Sequence, residues 1–271
     1  MQRNPHKDKI LKTIQKLSYR HSAWNVFSDF IELSALSIAN SADKKTEVWE
    51  AREKQYLETI GKYSPDEQKL FPTMFADLVD ALTYSLTWEN APTDILGEIF
   101  HELELHNQYK GQFFTPQHIC NFMGAIALGD SKGQIEEHGY IGMAEPACGS
   151  GAMVFGLAWA MMEAELNYCT QLVVEATDID LKCVHMCYLQ LALYGIPAIV
   201  IHGNTLTLEK WSVWYTPVFI FHVWAWKVKR ERKQGNTGNE SPKEPELEQA
   251  EPVKAGEQLS LFDIEGGEGN A

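Results

Sequence analysis

Two hydrophobic rhythms divide this chain. From residue 7 to 110 the apolar positions recur at helical spacing, as at Ile31, Leu33, Leu36 and Ile38, and again at Phe71, Met74, Phe75, Leu78, Val79 and Leu82. Ser64-Pro65-Asp66-Glu67 has the makings of a helix start, with proline in the first turn and acids after it. This stretch reads as a helical N-terminal domain, with Trp24 and Trp49 in its core. From residue 111 short apolar runs alternate with longer helical patterns. Helices are expected over 116–128, 152–167 and 181–194, the last closed by Gly195. Strands are expected over 140–144, 172–176, 198–201 and 218–223. Such alternation predicts an α/β fold with a parallel sheet, right-handed crossovers and a ligand site beyond the carboxyl ends of the strands. The expected organisation is a helical domain over 1–110, an α/β core over 111–233 and a polar tail over 234–271.

Composition refines this picture. The chain has 271 residues, 45% of them hydrophobic, which suffices for one core and a smaller appended unit. No apolar run reaches the length of a membrane span. The N-terminus, with Lys7, Lys9, Lys12 and Lys16 among polar residues, lacks the apolar stretch of a signal peptide. The odd set of cysteines (Cys120, Cys148, Cys169, Cys183, Cys187) suits reduced thiols, and a cytoplasmic location is expected. Cys183, His185 and Cys187 invite a metal reading. Only the two thiols share a helix face, however, so core packing is preferred and no metal is assigned.

Half of the formal net charge of −14 lies from Gln234 onward, where nine acidic residues face two lysines. The tail is therefore expected to be disordered. The rest of the chain is acidic as well. Affinity for DNA depends on neutralising phosphates, so this chain alone is expected to hold DNA weakly. The one basic run is Lys227, Lys229, Arg230, Arg232 and Lys233. It reads either as a phosphate contact or as a solvated helix end, the latter being the commoner use of such a run.

Two motifs carry the chemistry. Gly111-Gln112-Phe113-Phe114-Thr115-Pro116 is followed, some thirty residues on, by Glu145-Pro146-Ala147-Cys148-Gly149-Ser150-Gly151. The second has the form of a strand end, a glycine turn and a helix start. Glycine lets the backbone approach a ligand closely, and a helix start offers unpaired amides and a positive dipole end. In this order and at this spacing the pair resembles motifs X and I of adenine-N6 DNA methyltransferases of the gamma order, close to the modification subunit of type I restriction systems. The resemblance takes in Asp94-Ile95-Leu96-Gly97-Glu98-Ile99 upstream, Ala176-Thr177-Asp178-Ile179-Asp180 at the acidic motif II, and His202-Gly203-Asn204-Thr205-Leu206 at motif III. It covers roughly residues 20 to 206.

The resemblance implies a Rossmann-like methyltransferase core that binds S-adenosylmethionine, the methyl donor for adenine N6 in DNA. Phe113 and Phe114 would wall the cofactor site, and Thr115 would meet the methionine carboxylate. Glu145 would lie near the ammonium, in the turn formed with Pro146 and Ala147. Gly149 and Gly151 would admit the methionine part. Asp178 would take the ribose hydroxyls, while Asp180 suits a helix cap better. Asn204 departs from the family's usual Asp, although its side-chain oxygen can still accept from the adenine amine.

The family's catalytic Asn/Asp-Pro-Pro-Tyr/Phe tetrapeptide occurs nowhere in the chain; the corresponding region reads Pro217-Val218-Phe219-Ile220-Phe221-His222-Val223-Trp224-Ala225-Trp226. No catalytic residue is assigned. Trp224 or Trp226 could stack on a flipped base, but nothing in the stretch would orient its amine. The family's seven-stranded sheet exceeds the room here, which suffices for about four strands. The sheet is therefore expected to be incomplete, with the Trp-rich stretch from Trp211 to Trp226 covering an open edge. Two functions follow: a DNA methyltransferase that is divergent or completed by a partner such as a specificity subunit, and a cofactor-binding adaptor without catalysis. In the tail, Gln258-Leu259-Ser260-Leu261-Phe262 matches the pentapeptide by which many bacterial replication and repair proteins bind the sliding clamp. The alternative is that Leu259, Leu261 and Phe262 fold back onto the core.

Overall fold

Capping residues set the boundaries of the N-terminal helices. Asn4 accepts from the His6 amide at 3.1 Å and starts α1 (Pro5–Leu17), and Ser22 accepts from Asn25 at 3.1 Å and starts α2 (Ala23–Ala42). A computed structural model describes residues 4–44, 46–104 and 115–221 of the chain, all within a first unit spanning Met1–Arg230. The remaining α-helices of the N-terminal part are α3 (Thr46–Ile60), α4 (Pro65–Gln68), α5 (Leu70–Tyr84), which runs on into a π-helical stretch (Ser85–Glu89), and α6 (Ile95–Glu104). Glu67 reaches back to the Ser64 amide at 2.8 Å, so the Ser-Pro-Asp-Glu start is real. Helix α2 is the hub. Val26, Phe30, Ile31 and Ala35 are fully buried, and the helix packs on α1, α3 and α10.

The α/β part follows as α7 (Gln117–His138), β1 (Ile141–Glu145), α8 (Ala152–Glu163), α9 (Tyr168–Gln171), β2 (Leu172–Asp178), α10 (Leu181–Leu193), β3 (Ala198–Asn204), β4 (Glu209–Tyr215) and α11 (Pro217–Phe221). The sheet order is β1-β2-β3-β4, with the first two pairings parallel and the last antiparallel. The register sets Glu145 opposite Ala176, and Asp178 opposite His202. The acids that end β1 and β2 therefore stand at the same edge. One hydrophobic core joins the N-terminal helices to α8, α10 and the sheet, with Tyr188, Phe155 and Phe27 among its largest buried members. Helices α7 and α8 meet with almost no spacing. A Cβ on Gly156 would overlap the Cys120 carbonyl, and one on Gly124 would overlap the Gly156 carbonyl.

Three expectations need correction. The helix expected to end at Leu128 continues to His138, because Gly129 and Gly133 weaken a helix without stopping it, and Gly139 at φ +80° closes it. The helix expected to reach Asn167 stops at Glu163. Glu165 takes a positive φ of 58° there, and the short α9 follows. The fourth strand is Glu209–Tyr215, not 218–223, and it runs antiparallel. Residues Pro217–Phe221 are helical. Proline cannot donate to a ladder but suits the first turn of a helix, and the Ile220 amide bonds to the Thr216 carbonyl at 3.1 Å. Strand β4 lies along the outer edge of β3. Among the described residues no helix is long and apolar enough to cross a membrane, and none of the five cysteines forms a disulfide.

Candidate functional site

At the end of β1 the chain turns through Pro146 to Gly151 and enters α8. Gly149 has φ +52° and Gly151 φ +102°, left-handed values that disfavour any residue with a Cβ. Backbone bonds fix the turn: the Cys148 amide donates to the Thr177 carbonyl at 2.9 Å, and the Gly151 amide to the Cys148 carbonyl at 2.8 Å. The first amides of α8 lie directly beyond, where a helix start favours negative groups.

Acidic side chains from β1 and β2 converge on this turn. Asp178 Oδ2 accepts from the Gly149 amide at 2.8 Å, and Oδ1 from the Asp180 amide at 2.9 Å. Each oxygen keeps a second lone pair. Asp180 caps α10 by accepting from Lys182 at 2.9 Å. Glu145, half-buried, accepts from the Ala147 amide at 3.3 Å. Burial raises its pKa, the Ala147 bond opposes the rise, and the nearby Asp178 charge adds to it. This corner of the molecule thus has two carboxylates near each other, an arrangement that a cation would relieve.

The loop after β3 forms the other side. Asn204 Oδ1 accepts from the Leu206 amide at 2.9 Å and the Thr207 amide at 3.3 Å. The oxygen expected to meet adenine is thus engaged within its own loop. Thr205 Oγ1 donates to the Pro146 carbonyl at 2.6 Å, tying this loop to the glycine turn. Thr115 is exposed beside the start of α7, and its carbonyl accepts from the Cys120 thiol at 3.6 Å. The structure therefore places Glu145, Pro146, Ala147, Gly149, Gly151, Asp178 and Asn204 around the carboxyl ends of β1–β3. Phe113 and Phe114 lie outside the described residues, as do Trp224, Trp226, the basic run and Gln258, Leu259, Ser260, Leu261 and Phe262.

Cys183, His185 and Cys187 are buried in the core on α10. Burial, with His202 adding to it, pushes the His185 pKa down to about 3, so the imidazole is neutral at physiological pH. A thiol hydrogen bond with Cys187, together with burial, raises the pKa of Cys148 in the glycine turn.

Sequence reasoning missed the support beneath the turn. Ser150 and Gln190 are fully buried, and Asp94 nearly so. Ser150 Oγ donates to Asp94 Oδ2. Gln190 Nε2 lies 2.9 Å from both Asp94 Oδ1 and the Ser150 carbonyl. The only available hint was the place of Asp94 just ahead of the first motif.

Three parallel strands, β1 to β3, a glycine turn from β1 into α8, and acids at the ends of β1 and β2 make a Rossmann-like α/β core. Residues 92–233 match the N-6 DNA Methylase family, and the chain belongs to that family. No curated protein matches the chain. Among solved structures, the methyltransferase subunit of a type I restriction-modification system from Streptococcus thermophilus is similar at 17% identity and a TM-score of 0.37. The alignment covers 76% of this chain and 40% of that one, so the chain spans less than half of that subunit's length.

Proposed function

We propose that the carboxyl ends of β1, β2 and β3 bind S-adenosylmethionine, and that the chain is the cofactor-binding part of an adenine-N6 DNA methyltransferase. The observation that carries this reading is the pair of left-handed glycines, Gly149 and Gly151, with Asp178 held against the first of them, in a chain of the N-6 DNA Methylase family. The donor set fits the cofactor. Asp178 keeps lone pairs for two ribose hydroxyls. Glu145, strained by the Asp178 charge, suits the cofactor's ammonium. The left-handed backbone at Gly149 and Gly151 would bring the turn close to the methionine part, Thr115 would meet its carboxylate, and Phe113 and Phe114 would wall the site. Because Asn204 Oδ1 is taken up by Leu206 and Thr207, Asn204 would meet the adenine ring as a donor through Nδ2. When bound, the cofactor supplies the methyl group. The residues above bind and orient it.

The base-handling tetrapeptide is absent from the sequence, and the segment nearest its expected place, Pro217–Phe221, is helical. This favours a partner that completes the site, a specificity subunit among the candidates, over catalysis by this chain alone. A cofactor-binding adaptor without catalysis is the second reading. The acidic chain would hold DNA weakly. Docking of Gln258–Phe262 in the cleft of a sliding clamp would offset that by raising the local concentration. Calorimetry with S-adenosylhomocysteine tests the cofactor site, and no heat at millimolar ligand would remove it. Transfer of labelled methyl to unmethylated DNA, with N6-methyladenine as product, separates enzyme from adaptor. A sliding-clamp pull-down comparing wild type with Leu261→Ala/Phe262→Ala tests the tail, and equal retention of the two would dismiss it.

A further inference from the structure

The middle residue of the glycine turn is held by a part of the chain that the cofactor reading does not use. Ser150 lies between the two left-handed glycines and is fully buried. Its hydroxyl donates to Asp94 Oδ2, and its carbonyl accepts from Gln190 Nε2 at 2.9 Å. Asp94 Oδ1 also accepts from Gln190 Nε2 and from the Gly97 amide, each at 2.9 Å. Gln190 Oε1 in turn accepts from the Leu96 amide at 3.0 Å. Asp94 stands just before α6, so the start of that helix is wired to the turn 56 residues later.

A buried carboxylate costs free energy, and packing alone would favour an apolar residue in its place. Burial raises the Asp94 pKa, while the bonds from Gln190, Ser150 and Gly97 pull it back. A carboxylate used in this way has one geometric effect. It only accepts, so the amide of Gln190 and the hydroxyl of Ser150 must both point their hydrogens at it. That fixes the rotamer of Ser150, which in turn fixes the backbone between Gly149 and Gly151.

We infer that Asp94 is a positioning residue for the glycine turn, so that the N-terminal helical part sets cofactor affinity through the Asp94–Ser150–Gln190 network. This rests on the cofactor reading above for its functional half; its structural half stands without a ligand. The seam between α6 and α10 offers an internal control. At its other end Tyr194 Oη donates to the Thr93 carbonyl at 2.9 Å and accepts from the Thr93 amide at 3.0 Å. That group holds the same joint without touching the turn's backbone.

The experiment uses the full chain as wild type, Asp94→Ala, Asp94→Asn, Ser150→Ala and Tyr194→Phe. Hydrogen exchange of the cofactor-free protein is read over residues 146–155, and affinity for S-adenosylhomocysteine is read by calorimetry. Asp94→Ala should speed exchange in 146–155 on the order of tenfold, the worth of a lost buried hydrogen bond to a charged group, and weaken binding to a similar degree. Asp94→Asn should restore most of both, because its oxygen still accepts from Gln190 and Gly97 while its amide donates to Ser150. Tyr194→Phe should lower the melting temperature and leave exchange in 146–155 within about twofold of wild type. Equal loosening of the turn by Asp94→Ala and Tyr194→Phe, or none with Asp94→Ala, would overturn the inference. Should Asp94→Ala fail to fold, Ser150→Ala reads the same bond from the turn side. A wild type that binds no S-adenosylhomocysteine defeats the cofactor reading, while the exchange contrast still decides the structural half.

Discussion

Two loops meet at the carboxyl end of the sheet, and they are built in opposite ways. The Cys148–Gly151 turn is held on every side: by Asp178 at Gly149, by Asp94 and Gln190 at Ser150, and by the Thr177 carbonyl at Cys148. The 204–208 loop depends mainly on its own Asn204 and on one link, from Thr205 to Pro146. Leu206 is 94% exposed and Leu208 is 79% exposed, the latter at φ +60° without being glycine. The first loop is preorganised, so a ligand there need not supply its ordering cost. The second has few buried apolar contacts, and it is expected to open more readily than the first.

The largest effect should come from removing the support of the fixed loop. Gly156→Ala drives a methyl group into the Cys120 carbonyl and separates α7 from α8 beneath the turn. About 2–3 kcal/mol of stability should be lost, as with other overpacked cores, and the melting temperature should fall by about 5–10 °C in a thermal melt. An unchanged melting temperature would mean the helix seam is looser than its backbone contacts imply.

Asp178→Ala should come next. It removes the acceptor for the Gly149 amide as well as the proposed ribose partner. Loss of a hydrogen bond to a charged group is worth roughly 1.5–3 kcal/mol, so affinity for S-adenosylhomocysteine should drop about 10- to 150-fold by calorimetry. The fold should persist, with a cooperative melt.

Glu145→Gln sharpens the comparison by moving stability and binding in opposite directions. The wild-type carboxyl has its pKa raised above its ordinary 4.5 by burial and by Asp178. The folded state therefore holds that proton more tightly than the unfolded state does. The stabilisation is present at low pH and is lost as pH rises through the raised value. At pH 7 the glutamine variant should melt higher than wild type, and the gap should close as pH falls toward about 4, where both states of wild type are protonated. Its affinity for S-adenosylhomocysteine should fall, because the proposed negative partner for the ammonium is gone. A variant that melts lower than wild type at pH 7 would show that the two carboxylates are not in conflict.

The smallest effects belong to the weakly held loop. Thr205→Val deletes the link to Pro146 and should cost no more than about 1 kcal/mol, with cofactor affinity changed less than fivefold. Leu206→Ser should leave the melt unchanged within about 0.5 kcal/mol, as for other exposed positions. A large loss from either would mean that the two loops act as one body.

Much of this comparison was legible in the sequence, though unevenly. Gly149 and Gly151 close the turn after β1, and Gly195 ends α10 ahead of β3, all at positive φ. Asp178 and Asn204 were placed by the resemblance of their stretches to motifs II and III. Strand β4 was harder to see. Trp211, Val213 and Tyr215 do alternate, but the denser apolar run after Pro217 drew the strand there instead, and the helix-starting effect of Pro217 outweighed it. Helix α7 runs past the expected end at Leu128, because Gly129 and Gly133 do not stop it and Ile135 packs against the core beyond them. Asp94 stands in a stretch that resembles the family, but nothing local shows what it holds. Its partners lie 56 and 96 residues away, and only the folded chain brings them together.

That distance has a consequence for the order in which the molecule takes shape. The turn's supports come from Asp94 before it, and from Asp178 and Gln190 after it, the last 40 residues beyond Ser150. A chain emerging from the ribosome only as far as Gly151 already holds the glycines but neither of the later anchors. Closing loops of this length is paid for in entropy before any contact returns it. The turn is therefore expected to settle late, once α10 has docked against α2 and α6, in the same step in which the two halves of the core come together.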